Sequence, residues 1–271
     1  MPEQRYLEEV ALNAWPGLQT FLLDGWVVRW ADGYTKRANS VTPLYPGSGD
    51  LDLAMKVGWC EQFYRQRNLP AVFRLLPFHP DAAALDHLLA QRQYEYLDET
   101  RHMVLDLDEW DGETSPRVQL LSGQAGLESW FRAFHAIHPG RVDHVNHLKI
   151  VQASLGKKCP MVLMVEGKVV ACGLGILHDG LFGLFDIVTD EGERGRGYGH
   201  ELVESLLVWG IERGANWSYL QVTTHNDPAN RLYARFSFQE AYRYWYRRQN
   251  GSQSISPNPN LDKPEMFRGL T

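Results

Sequence analysis

Cysteine is scarce in this sequence. Cys60, Cys159 and Cys172 are scattered over 271 residues, without a C-x-x-C spacing and in an odd number. A reduced, cytosolic protein is the plain expectation. No apolar run reaches the roughly 20 residues of a membrane span, and no N-terminal segment has the order of a signal peptide, so membrane association is not expected and the Asn216-Trp217-Ser218 sequon should be silent. Positive charge is not in excess either: the formal net charge is −6, which argues against generic nucleic-acid binding, since that needs a basic face. Two phosphate-binding signatures are missing as well. No Gly-Lys-Ser/Thr follows any glycine-rich loop. The third glycine of G-x-G-x-x-G falls on Leu202 or His200, depending on where the count begins.

What is present centres on Leu184 to Val208. An apolar run, Leu184 to Thr189, is interrupted only by Asp186 and reads as a strand. Arg194-Gly195-Arg196-Gly197-Tyr198-Gly199 reads as a tight loop. A helix then begins near Gly197 and should bury Val203, Leu206, Leu207 and Gly210 on one face. Alternate glycines remove Cβ atoms from the loop, so its backbone can approach a ligand. The opening helix turns unpaired N–H groups and its positive end to the same spot. With two arginines added, this describes an anion site suited to a phosphate or pyrophosphate.

The rest of the chain falls into two units, the usual expectation at this length. In the first, residues 5–15 read as an amphipathic helix. Phe21 to Trp30 and Tyr34 to Pro43 read as two strands turned by Asp32-Gly33. A helix over Asp50 to Asn68 is followed by a strand at Ala71 to Leu76 and a helix at Asp81 to Gln93. Two strand-like runs between Tyr94 and Leu107 are divided at Asp98-Glu99. Residues 109–116 read as a linker between a 1–108 unit and a 117–248 unit, and 249–271, polar and proline-rich, as a mobile tail. The second unit runs β–α–β–β–β–α–β–α–β, with its helical stretch from Gly126 to Leu155 broken at Pro139-Gly140. The fold class is α+β (mixed α/β).

Arg194, Gly197 and Gly199 resemble the R-x-x-G-x-G/A signature of the GNAT superfamily of acyl-CoA-dependent N-acyltransferases. Asn226, Ala229, Leu232, Tyr233 and Phe238 resemble that family's N-x-x-A-x-x-L-Y-x-x-x-G-F run, with Ser237 in place of the glycine. The resemblance covers about residues 117–247. The first unit shares the element order without the signature, so the chain resembles a tandem GNAT protein: two GNAT-like domains, each a mixed, largely antiparallel sheet flanked by helices. The first-unit counterpart of the loop contains Gly47 and Gly49, but Asp50 and Asp52 would repel an anion. That unit is expected to lack cofactor and to wall one side of the substrate cleft.

The resemblance implies acetyl-CoA as cofactor and transfer of its acetyl group to a primary amine, on a small molecule or a peptide, by direct attack in a ternary complex. The amine must lose a proton, the oxyanion needs a donor, and the thiolate gains from a proton. Tyr233 is implied as the general acid. Ile187, Val188 and Thr189 are implied to hold pantetheine through their backbone, with Asn226 near that arm. Arg194, Gly195, Arg196, Gly197, Tyr198 and Gly199 are implied to hold the pyrophosphate. The base stays open among Asp186, His225, His135, His138, Asp143, His144 and His147, or a water. No metal site is expected, and oligomeric state is not legible. A non-catalytic acyl-CoA-binding module is the alternative.

Overall fold

The computed structural model describes residues 1–139 and 144–250. Gly140 and Asp143, and all but the first two residues of the expected tail, lie outside the described residues. The first half contains helix α1 (Gln4–Ala14), strands β1 (Gln19–Leu23), β2 (Trp26–Trp30) and β3 (Val41–Pro43), helix α2 (Leu53–Arg65), strand β4 (Val72–Leu75), helix α3 (Ala82–Gln91) and strand β5 (Glu95–Asp106). The second contains β6 (Val118–Leu120), α4 (Gly123–Ile137), α5 (His144–Ala153), β7 (Lys157–Val165), β8 (Lys168–His178), β9 (Leu181–Thr189), α6 (Tyr198–Ile211), β10 (Trp217–Thr223), α7 (Asp227–Ala234) and β11 (Gln239–Arg248).

The described strands form one mostly antiparallel sheet, in the order β1-β2-β3-β4-β11-β5-β10-β9-β8-β7-β6. The halves repeat one plan. Antiparallel strands, β1 to β3 in the first and β6 to β9 in the second, lead through a helix to a parallel strand, then through another helix to a final strand. The parallel pairs are β3 with β4 and β9 with β10. The final strands are exchanged: β5 lies against β10, β11 lies against β4, and β5 and β11 pair with each other.

A buried polar knot sits at the exchange. Glu8 on α1 and Arg74 on β4 meet at 2.8 and 2.9 Å, with side chains 0% and 1% exposed. The Tyr242 hydroxyl donates to Glu8 at 2.6 Å and lies 2.7 Å from His102 Nδ1. A two-toothed Arg–carboxylate contact fixes geometry as well as charge, so α1, β4, β5 and β11 are held in one register.

Three apolar clusters cover the sheet. One joins α1 and α4 to it, a second α6, and a third α2 and α3. Helix α6 buries Val203, Leu206, Leu207 and Gly210, as its apolar spacing predicts, and Leu202 besides. A Cβ on Gly210 would come within 2.9 Å of the Phe182 ring, and one on Gly175 within 2.1 Å. Two glycines thus let β8 and α6 close on Phe182.

Two local expectations are corrected. The β1–β2 hairpin turns at Asp24-Gly25 (φ 39° and 84°), with Leu23 paired to Trp26. Asp32-Gly33 also has positive φ, but it opens a loop rather than a hairpin. The buried Asn39 side chain holds that loop, accepting from the amides of Ala31 (2.7 Å) and Gly33 (3.0 Å) and donating to Tyr34 O and Thr35 O. One Asp-Gly pair looks like the other until the flanking strands find partners. Likewise, Asp98-Glu99 does not split two strands. Tyr244 faces Thr100 while Tyr246 faces Leu97, so the irregularity is a bulge within the single strand β5.

Candidate active site

Strands β9 and β10 pair only where Leu181–Gly183 meets Trp217–Tyr219. A Cβ on Gly183 would lie 2.6 Å from the Tyr219 ring and hydroxyl, so the Tyr219 side chain fills the point where the strands part. Beyond it they splay, and a cleft of 780 Å3 opens. Phe185, Asp186 and Ile187 line it from β9, Gln221, Val222 and Thr223 from β10, and Asn226, Ala229 and Tyr233 from the α7 segment. The first half supplies Trp15, residues 32–37, Asp98 and Thr100.

The backbone of β9 faces this gap. Asp190 donates its N–H to Val170 O at 2.8 Å. By strand alternation the N–H group of Thr189 points the other way, into the splay. Ile187 lines the cleft, whereas Val188 packs against the cluster that includes Phe185 and Trp15.

Past a 3-10 turn at Glu191–Glu193, the loop rises to α6. Gly195 and Gly197 have φ of 80° and 85°, where an L side chain would be strained. His200 and Glu201 donate back to Gly197 O. The amides of Gly195, Arg196, Gly197, Tyr198 and Gly199 have no partner among the described residues. Nothing lies within 4 Å of a Cβ built on Gly195 or Gly197, and one on Gly199 would touch only Leu232 and Thr189, at 3.5 Å. Tyr198 itself is buried, 8% exposed. Arg194 and Arg196 are exposed and sit 3.6 and 3.0 Å from Glu191 and Glu193. Such surface pairs are weak, so both guanidinium groups can turn to an anion. Free amides, bare glycines and a helix start fit a pyrophosphate.

The first-half counterpart is filled by the protein's own carboxylates. Asp52 caps α2 by accepting from Met55 N at 2.7 Å. Asp24 accepts from Ser48 N at 2.5 Å and pairs with Lys56 at 2.7 Å. A Cβ on Gly47 would strike Asp24 Oδ2 at 2.4 Å. Lys56 and the Ser48 amide hold the Asp24 carboxyl down at a pKa of about 2.

Tyr233 is buried beside Phe238 (ring centres 5.8 Å apart), and its hydroxyl has no hydrogen-bond partner among the described residues. Burial pushes its pKa up, so the phenol keeps its proton and is available as a donor. Asn226 caps α7 by accepting from Ala229 N at 3.3 Å, yet it still lines the cleft. Ser237, in place of the family glycine, takes φ +63°. Phe238 N reaches Tyr233 O at 3.4 Å, which closes the end of α7 as a glycine would.

Regular strand alternation would turn Asp186 away from the face that Ile187 presents. Instead, Asp186 has φ +49° and forms a bulge with Ile187 opposite Gly173, so both residues line the cleft. Gly173 is needed there, because a Cβ would lie 2.5 Å from Ile187 Cδ1. The Asp186 carboxylate lies 2.8 Å from His147 Nε2, and His147 Nδ1 lies 3.1 Å from His135 Nε2. The His144 ring stacks on His135 at 3.8 Å. His147 is fully buried among Trp15, Tyr34, Trp130 and Phe134. The helix break after His138 was the available signal, since it folds α5 back on α4; the bulge left no trace in the apolar pattern. Among the other base candidates, His225 is exposed at the end of β10 and does not line the cleft, and Asp143 lies outside the described residues.

A sequence model of the family described as "Probable histone acetyltransferase Rv0428c C-terminal" matches residues 2–247. The chain is 29% identical to the "Uncharacterized N-acetyltransferase YobR" of Bacillus subtilis over 91% of its own length and 99% of that protein's. It is also 29% identical to the "Probable histone acetyltransferase Rv0428c" of Mycobacterium tuberculosis, covering 80% of this chain and 65% of that longer protein. In fold it is similar to a GCN5-related N-acetyltransferase from Kribbella flavida, with TM-score 0.68, 15% identity, and 93% and 97% of the two chains covered. It is similar as well to a tandem GNAT protein from the clavulanic acid biosynthesis pathway, with TM-score 0.53, 14% identity, and 79% and 76% covered. With nearly the whole chain matched and the sheet forked over a loop of free amides, the protein belongs to the Rv0428c C-terminal family of GNAT acetyltransferases.

Proposed function

We propose that this chain is an acetyl-CoA-dependent N-acetyltransferase that acts on a primary amine by direct attack in a ternary complex. The observation that carries the reading is the cleft at the fork between β9 and β10, lined by Asp186 and Tyr233, with the partnerless amides of Gly195–Gly199 on the loop that follows β9. Acetyl-CoA would bring an acyl group already activated as a thioester. The loop amides, with Arg194 and Arg196, take the pyrophosphate. The N–H groups of Ile187 and Thr189 align the pantetheine arm, beside Val188 and Asn226. Asp186, with His147 behind it, takes the proton of the acceptor ammonium, and the Tyr233 phenol protonates the departing thiolate. We read the repeated element order as two tandem units, the first of which forms the acceptor wall and binds no cofactor. We take the enzyme to work in the cytoplasm on a free amine, away from membranes and nucleic acid.

The test is thiol release from acetyl-CoA across a panel of primary amines, with Tyr233→Phe as the control. The variant should keep CoA affinity and lose turnover by about 10- to 1,000-fold. A wild-type protein that binds CoA but acetylates no amine, or a Tyr233→Phe protein as fast as wild type, would count against this reading.

A further inference from the structure

The acceptor wall of the cleft carries cations for which the fold supplies too few counter-ions. Arg29 on β2 is 1% exposed, and among the described residues it makes no ion pair. Its guanidinium donates to the carbonyls of Trp15 (2.9 Å) and Arg37, and its Nε has no partner. Burial first, and then nearby Arg74, bring its pKa down to about 10, so it remains charged at neutral pH. Arg74 is matched by Glu8. Arg37, whose carbonyl Arg29 holds, lines the cleft. Its guanidinium carbon lies 5.6 Å from the centre of the Trp15 ring and 5.9 Å from that of Phe185, and it makes no ion pair or hydrogen bond among the described residues.

Three guanidinium groups therefore share one carboxylate. The neighbouring cation, Lys36, is neutralised by Asp98. Asp32 is exposed, and Asp186 is engaged by His147. Charge buried without a partner is costly, and a planar guanidinium held near two aromatic rings can take a carboxylate in two-toothed fashion. Phe185, whose ring Arg37 covers, is the residue immediately before Asp186.

We propose that the acceptor is an aminocarboxylate, with its carboxylate on Arg37 and its amine at Asp186. This rests on the acyl-transfer reading of the cleft. A lysine-rich peptide would bring further cations against Arg37, and a simple alkylamine would leave Arg37 unpaired.

Matched amines test it: lysine with cadaverine, ornithine with putrescine, and phenylalanine with phenethylamine, alongside a lysine-rich peptide. With the full-length protein and acetyl-CoA, at least one carboxylate-bearing amine should exceed its partner and the peptide by about tenfold or more in kcat/KM. Arg37→Gln should raise its KM by about 10- to 100-fold and erase the preference, and Arg37→Lys should restore part of it. CoA-induced thermal stabilisation should be unchanged in both variants. Equal or better use of the partner amines or the peptide would overturn the proposal, as would a preference that survives Arg37→Gln. If no amine is acetylated, the transfer reading fails separately. Calorimetric titration of lysine, ornithine and phenylalanine into the CoA-saturated protein then decides: binding lost in Arg37→Gln upholds the carboxylate subsite, and absence of binding overturns it.

Discussion

His147 and Asp186 share a 2.8 Å hydrogen bond that joins a fully buried imidazole on α5 to a carboxylate on the wall of the cleft. The two residues are 39 positions apart, and the carboxylate reaches this place only because Asp186 adopts φ +49°. Asp186→Asn should lower kcat by about 10²- to 10⁴-fold, with CoA binding retained. His147→Gln should lower kcat less and change the shape of the pH–rate profile. Steady-state kinetics across pH beside a CoA titration checks both. Full activity in Asp186→Asn would remove the carboxylate from the mechanism.

Gly197 has φ +85°, caps α6, and has open space where a side chain would stand. Gly197→Glu places a carboxylate among the free amides and forces an L residue into the left-handed region, at a cost of about 1–2 kcal/mol. CoA should no longer raise Tm, whereas in the wild-type protein at 100 times Kd it should add about 2.7 kcal/mol of stability. An undiminished shift in the variant would move the cofactor elsewhere.

Asp24 predicts an acid-sensitive contribution to stability. Its folded pKa of about 2 lies below the unfolded value of about 3.9. Ionised Asp24 therefore stabilises the fold above about pH 4, and that contribution is lost as pH falls through about 2. Asp24→Asn should lower Tm at neutral pH, and the gap from wild type should close as pH drops from about 4 to 2. Thermal melts over this range test it; a gap independent of pH would show that the carboxylate charge contributes nothing.

Ser237 holds a left-handed conformation that favours glycine, at φ +63°. Ser237→Gly should relieve about 1 kcal/mol of strain, partly offset by the greater chain entropy of glycine when unfolded. A small net rise in Tm is expected, without loss of CoA binding. A fall in Tm would mean that the serine side chain contributes more than the strain costs.

Local chemistry wrote much of this protein into its sequence. The strand over 184–189 and the helix beginning at Gly197 could be read from apolar spacing and bare glycines. The N-x-x-A-x-x-L-Y pattern coincides with α7, with Asn226 at its cap and Tyr233 within it. Each of these features depends on neighbours within a few residues. The exchange of β5 and β11, the Asp186 bulge and its contact with His147, and the gathering of Arg29, Arg37 and Arg74 depend instead on which strands and helices meet. An Asp in a strand has the same local propensity whether its carboxylate faces water or an imidazole 39 residues away. Only closure of the whole sheet decided that, because burial and charge are set by distant chain and not by adjacent residues.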